Sequence, residues 1–341
     1  MEPIFKSYGW QVISCEPLVQ GLINKTFVVK TLEGEFILQT INHQIFKSPD
    51  AIDHNINELS RWLKINNPDY LFTHLVANKE GSTLLQMEGL YYRAFQKING
   101  HALSVLENEL QVFEAAKQFG NFTSILNNFP IQNLQISLPD FHNLSLRFAQ
   151  FSEALLNGNT TRIEKCKDSI SFLLSHRDYV RTYEKFIAHT DTKLRVTHHD
   201  TKISNVLFSN QKLDTHNDRA ICVIDLDTTM PGYFISDMGD MCRTCLCTVS
   251  EEEANLDLVK VIPYRWEALQ KGYLQVMSTH LTPFEKDHSF FAGQFMIYMQ
   301  ALRFLTDHLN NDSYYGAKYE GQNLVRALNQ IRLLSVYNEL T

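Results

Sequence analysis

The stretch His198-His199-Asp200-Thr201-Lys202-Ile203-Ser204-Asn205 decides how the rest of the chain is read. It has the spacing H-x-D-x-K-x-x-N, and Asp225 follows twenty residues after Asn205, inside the apolar run Val223-Ile224-Asp225-Leu226-Asp227. An Asp on a loop orients a hydroxyl and accepts its proton. An Asn five residues on turns back to a divalent metal, and an Asp at the end of a neighbouring apolar strand holds the same metal against phosphate oxygens. Those residue types at those spacings point to phosphoryl transfer onto a hydroxyl. Taken alone, the octapeptide is also a polar turn with a capping Asp, and short patterns of this kind arise by chance. The second Asp behind a Val/Ile run is what favours chemistry. Asp227 stays open between a structural role and a second metal ligand.

This island, about 194–227, is the one β-rich segment in an otherwise helical second half. Helical spacing of apolar residues recurs from Leu106 to Phe119 and near 142–157, 160–174, 176–189, 258–280, 289–309 and 318–337. The first hundred residues read differently. Lys25–Thr31 and Glu35–Ile41 flank Glu33-Gly34, a hairpin signal. Ser48-Pro49 offers an N-cap with proline at the first helical position. Ile52, Ile56, Leu59 and Leu63 then follow at helical spacing, and β segments are expected at about 71–77, 82–87 and 90–97. The expected organisation is an α+β chain of two lobes: a sheet-rich lobe over 1–97 and a large helical lobe over 98–341.

Composition narrows the function. In 341 residues, 44% are hydrophobic and 20% charged, the balance of a globular protein. The net charge of −7 and the lack of a basic run argue against a nucleic-acid binder. Six cysteines are too sparse for a disulfide scaffold, and Cys242-x-x-Cys245-x-Cys247 lacks the second pair a zinc site needs, so buried helical thiols are expected. Met1–Pro17 has no apolar core of a secretory signal, and Phe290–Leu305 is broken by Gln294, Gln300 and Arg303, which makes it a buried helix rather than a membrane span. A reducing cytoplasm is the expected location. Oligomeric state is not legible.

VTHHDTKISNVLF (196–208) followed by VIDLDTTMPGYFISDMGD (223–240) resembles the aminoglycoside/choline phosphotransferase superfamily, whose fold is protein-kinase-like. The resemblance is greatest to N-acetylhexosamine 1-kinases, and it extends to QGLINKTFVV, FILQTIN and RFLTDHLNNDSYY, most of the chain. It implies an ATP- and Mg2+-dependent small-molecule kinase acting on the anomeric hydroxyl of an N-acetylhexosamine, with no nucleic-acid or membrane partner. Aminoglycoside, choline or homoserine acceptors are the alternatives within the superfamily. It also implies roles: Asp200 as catalytic base, Asn205 and Asp225 as magnesium ligands, and the turn carrying Gly21, Asn24 and Thr26 over the nucleotide phosphates. Asp237, Asp240 and Arg243 are expected to brace the catalytic loop.

One position departs from many kinases. Where they carry a strand lysine or arginine toward the ATP phosphates, Glu35–Ile41 offers Gln39, which brings no charge. Lys202 is the expected source of replacement charge, against a plain solvated lysine. Glu58 and His54 read as helix-surface residues. Arg303, four residues before Asp307 on a helical face, either pairs with that Asp or binds sugar hydroxyls; Arg303 and Asp227 are the candidate substrate residues. The acidic run Glu251-Glu252-Glu253 reads as an exposed helix start. Two other functions compete. A non-haem iron oxygenase would use His198, Asp200 and a distant histidine but has no need of Asn205 or Asp225. A pseudokinase binding module is supported by Gln39 alone.

Overall fold

The computed structural model describes residues 1–18, 24–210 and 218–340. Its regular elements, in chain order, are α1 (Glu2–Tyr8), β1 (Val12–Leu18), β2 (Lys25–Thr31), β3 (Glu35–Ile41), α2 (Pro49–Asn66), β4 (Leu85–Met87), β5 (Leu90–Gln96), β6 (Gly100–Ala102), α3 (Glu109–Ile125), α4 (Leu144–Asn157), α5 (Thr160–Lys165), α6 (Lys167–Ser175) and α7 (Asp178–Ala188). Then come β7 (Arg195–Thr197), β8 (Val206–Ser209), β9 (Ala220–Val223), β10 (Met230–Gly232), α8 (Phe234–Cys245), α9 (Pro263–Met277), α10 (Pro283–Asp287), α11 (Ser289–Leu309) and α12 (Gln322–Asn338). They form two compact units. One comprises Met1–Leu103, Ile125–Pro139 and Ser204–Pro231; the other Ser104–Ser124, Asp140–Ile203 and Gly232–Thr341. The fold is α+β, two-lobed and kinase-like, with an antiparallel sheet in the N-terminal lobe and a helical C-terminal region.

In the first unit an antiparallel sheet runs in the order β1-β2-β3-β5-β4. The β2–β3 hairpin keeps its register from Lys25↔Thr40 to Lys30↔Glu35. Its turn is closed by the Thr31 hydroxyl, which accepts the Glu33 and Gly34 amides. Val29, Leu38 and Ala94 pack on Ile4 and Tyr8 of α1. α2 buries Ile52, Ile56, Leu59 and Leu63, the stripe expected from their spacing. Ser48 precedes it, but its side chain makes no cap bond; Pro49 opens the helix. A second small sheet, β6-β8-β9, carries the segments around Asn205 and Asp225.

The second unit is built around α11. Phe295, Met296, Met299 and Leu302 are fully buried as it packs on α12, α8 and α4. Each such side chain contributes about 1.5–3 kcal/mol. Gly239 lets α8 approach: a Cβ there would lie 2.3 Å from the Ala292 carbonyl oxygen. No helix among the described residues is long and apolar enough to cross a membrane.

Some expectations need correcting. Residues 71–77 form no strand; Leu75 makes a single bridge to Phe95. Phe72 is buried there, so its apolar character reflects packing rather than strand pairing. The helix expected over 160–174 is broken at Cys166 into α5 and α6. Helix α1, closed by Gly9 at φ 76, and strand β1 were not expected. The acidic run 251–253 is a turn, not a helix start. Glu251 takes ion pairs from Arg243 and Arg326 and is half-buried.

Candidate active site

The candidate catalytic loop, from His198 to Ile203, follows β7 in the second unit, and buried charge holds the strand in place. Glu285, fully buried, accepts both terminal nitrogens of Arg195 at 2.6 and 2.8 Å, together with the Lys193 and Thr282 amides. A carboxylate so buried is stable only when its hydrogen bonds are satisfied, and four bonds meet that need for Glu285.

Beyond the strand, α8 holds the loop by its backbone. Asp237 accepts the His199 amide at 2.7 Å and the His198 amide at 3.0 Å. Asp240 accepts the Thr201 amide at 2.8 Å, and the Thr201 hydroxyl donates to the Asp237 carbonyl. Burial pushes the Asp237 carboxyl up to about 7, against the pull of the two amides. Arg243 pairs with Asp240 and with Glu251. His199 stands in the left-handed region at φ 66, a costly conformation for a residue other than glycine, and its two neighbouring amide anchors pin it there. Gly232 gives its ring room, since a Cβ would lie 2.3 Å from His199 Nε2. The loop thus presents Asp200, whose Oδ2 pairs with Lys202 Nζ at 2.8 Å. The structure therefore brings Asp200 and Lys202 together.

Arg303 stands in the same unit, one aromatic layer from the loop. The Phe141 ring lies 6.3 Å from that of His199 and 5.7 Å from the Arg303 guanidinium. Tyr315 flanks the same guanidinium at 5.4 Å. Arg303 lines a cavity of about 420 Å³ with Arg147, Gln150, Glu153, Tyr314 and Tyr315. It does not pair with Asp307. That carboxylate accepts the Tyr314 and Tyr315 amides and the Asn323 side chain. His142, stacked on Phe141, is held neutral well below the ordinary imidazole range by burial, then by His199 and Arg303.

In the first unit, the Ile224 amide donates to the Asn205 carbonyl at 2.9 Å, which sets Asn205 beside the residue preceding Asp225. Asp225 itself is left-handed, at φ 62 and ψ 63. Asn24, Thr26, Gln39 and Asp227 are brought together. Asn24 Nδ2 donates to Asp227 at 2.7 Å, and Gln39 Nε2 to Thr26 Oγ1 at 3.3 Å. Gly21 lies outside the described residues. Glu58 pairs with Arg61, and His54 bonds the Asn133 carbonyl.

A model of the phosphotransferase enzyme family matches residues 14–262, a span that includes the loop at 198–205 and the Asp225 segment. The chain belongs to that family. Solved structures share the fold of this phosphotransferase along its whole length. An aminoglycoside phosphotransferase from Alicyclobacillus acidocaldarius is similar over 100% of this chain and 95% of its own, at 12% identity and a TM-score of 0.67. A spectinomycin phosphotransferase, solved with ADP and spectinomycin, covers 100% and 97% at 12% identity and 0.64. A microcompartment-associated aminopropanol kinase covers 99% and 95% at 16% identity and 0.62.

For this phosphotransferase, sequence reasoning passed over a buried cation beside Gln39 and Asp227. Arg93 on β5 is 1% exposed, donates through Nε and Nη2 to Gln39 Oε1 at 3.0 and 2.8 Å, and forms an ion pair with Asp227. The signal was a lone arginine inside the strand Leu90–Gln96, between the buried Tyr92 and Ala94.

Proposed function

We propose that this phosphotransferase is an ATP- and Mg2+-dependent kinase that phosphorylates the anomeric hydroxyl of an N-acetylhexosamine, N-acetylglucosamine or N-acetylgalactosamine. The observation that carries the reading is the cavity lined by Arg303, which is linked to His199 of the loop through the Phe141 ring. Its polar lining is mostly directional rather than acidic. Arg303 lies between the Phe141 and Tyr315 rings, and Arg147 and Gln150 stand on the same wall. Of the two carboxylates there, Asp307 is already bound by two backbone amides and Asn323. A cationic aminoglycoside or choline meets two arginines against Glu153, which already accepts the Asn157 side chain. A neutral sugar accepts hydrogen bonds from the guanidinium and stacks on an aromatic ring. A site that bonds particular hydroxyls also rejects analogues lacking them.

The long resemblance to N-acetylhexosamine 1-kinases supports the same acceptor. In this reading Asp200 accepts the acceptor's hydroxyl proton, and Lys202, paired with it, fixes the carboxylate and brings positive charge toward the transferred group. Asn205 and Asp225 offer an amide and a carboxylate oxygen, hard donors that suit magnesium. When bound, the metal neutralises charge on the phosphate oxygens. Asn24, Thr26 and Gln39, together with Gly21, hold the nucleotide. Asp227 is taken up by Arg93 and Asn24, which favours an anchoring role over a substrate contact. The test is ADP release with magnesium against N-acetylglucosamine, N-acetylgalactosamine, choline, homoserine and kanamycin. Turnover confined to the two hexosamines supports the reading; turnover confined to a cationic acceptor overturns it.

A further inference from the structure

The sheet of the first unit carries one polar row. Thr26, Gln39 and Arg93 are direct cross-strand partners on β2, β3 and β5, so their side chains share a face. The next row, Phe27, Leu38 and Ala94, turns the other way into the core with Ile4 and Tyr8. Each link of the polar row is a hydrogen bond, from Arg93 to Gln39 and from Gln39 to Thr26. Arg93 then reaches out of the sheet to Asp227, two residues after Asp225. Asp227 Oδ2 accepts Asn24, and Asn24 Oδ1 accepts the Asn42 amide.

Packing alone does not account for this arrangement. Arg93 and Asp227 are each 1% exposed, and burying such a pair is at best neutral for stability compared with apolar side chains of the same size. Arg93 Nη1 is buried with no partner, a donor whose bond is left unmade. The row begins at Thr26, two residues after Asn24, and ends at the segment carrying Asp225. Its middle position is Gln39, where other kinases place a cation.

We propose that Arg93 is the phosphate-side cation of the nucleotide site. It stands one strand over from the missing lysine, is aimed by Gln39 and Asp227, and has Nη1 left to donate to a nucleotide phosphate oxygen. Through Asp227 it also ties Asn24 to the Asp225 segment. This rests on the ATP reading above. Donation to a charged oxygen is among the stronger hydrogen bonds a protein makes.

The test is calorimetric affinity of the full chain, with magnesium, for ADP and for adenosine. Arg93→Met is combined with Asp227→Asn so that no lone charge is buried; Arg93→Lys is the second variant. The paired variant is expected to lose roughly tenfold or more in ADP affinity, with adenosine changed less than about twofold by the same principle. Arg93→Lys, which keeps the charge but not the fork, is expected to fall between, and it carries the test if the paired variant does not fold. Equal losses for ADP and adenosine, or no loss for ADP, overturn the assignment and make Arg93 a brace. A wild-type chain that binds no ADP removes the nucleotide reading itself, and the role of Arg93 with it.

Discussion

Asp237→Asn is the sharpest probe of how the proposed catalytic loop is held. The substitution keeps size and shape but leaves one acceptor oxygen where there were two. Asp237 is 2% exposed and receives the His198 and His199 amides on separate oxygens. Asparagine therefore points an N–H at one of those amides. Orphaning a buried backbone donor costs about 1–3 kcal/mol. The surviving bond loses its charge assistance, which roughly halves it. The sum, on the order of 2–4 kcal/mol, matches or exceeds the roughly 1–3 kcal/mol stored at a strained residue such as His199. His199 is then free to relax, and Asp200 moves with it. A displacement near 1 Å at a reacting group costs about a hundredfold in rate. The assay is steady-state kinetics at pH 8, where the carboxyl of the parent protein is ionised, alongside a melting curve. We expect kcat to fall roughly 10- to 100-fold with ADP affinity unchanged. A folded Asp237→Asn protein with kcat within twofold of the parent would refute the reasoning.

Further outcomes follow from the same geometry. Asp225→Ala is expected to leave the circular dichroism spectrum unchanged and to abolish magnesium-dependent ADP release, by roughly a thousandfold or more; near-parental turnover excludes the metal role. Lys202→Met is expected to lower kcat about tenfold. The Lys202 side chain is 38% exposed, so its pair with Asp200 adds little stability, and the melting temperature should barely move; unchanged kinetics return it to the solvated loop lysines. His142→Phe tests the buried imidazole. Its folded pKa is depressed, so its contribution to stability is present above the unfolded value near 6.5 and lost as pH falls below it. The variant should melt like the parent at pH 8 and above it at pH 5.5, because His142 Nδ1 has no partner to lose; parallel melting curves at both values contradict this.

Much of the fold was legible where a local pattern and the tertiary environment agree. The β2–β3 hairpin and α11 begin and end where their alternation and helical spacing place them. Legibility failed where long-range packing makes the pattern. The segment 71–77 is apolar because Phe72 is buried, not because the strand is paired. Glu251 looked solvated because its arginine partners, Arg243 and Arg326, lie outside the acidic run. The candidate residues on the catalytic loop share a short span, so spacing alone exposed them. Arg93 is different: it meets Gln39 through strand register and Asp227 through a turn far along the chain. Neither relation leaves a local signature.

The measurement that bears most directly on the central claim is phosphorus NMR of the product formed from ATP, magnesium and N-acetylglucosamine or N-acetylgalactosamine. The account predicts a sugar 1-phosphate, identified by coupling of phosphorus to the anomeric proton and by loss of the signal in mild acid. An acid-stable 6-phosphate, or a phosphorylated product only from an aminoglycoside or choline, would contradict it.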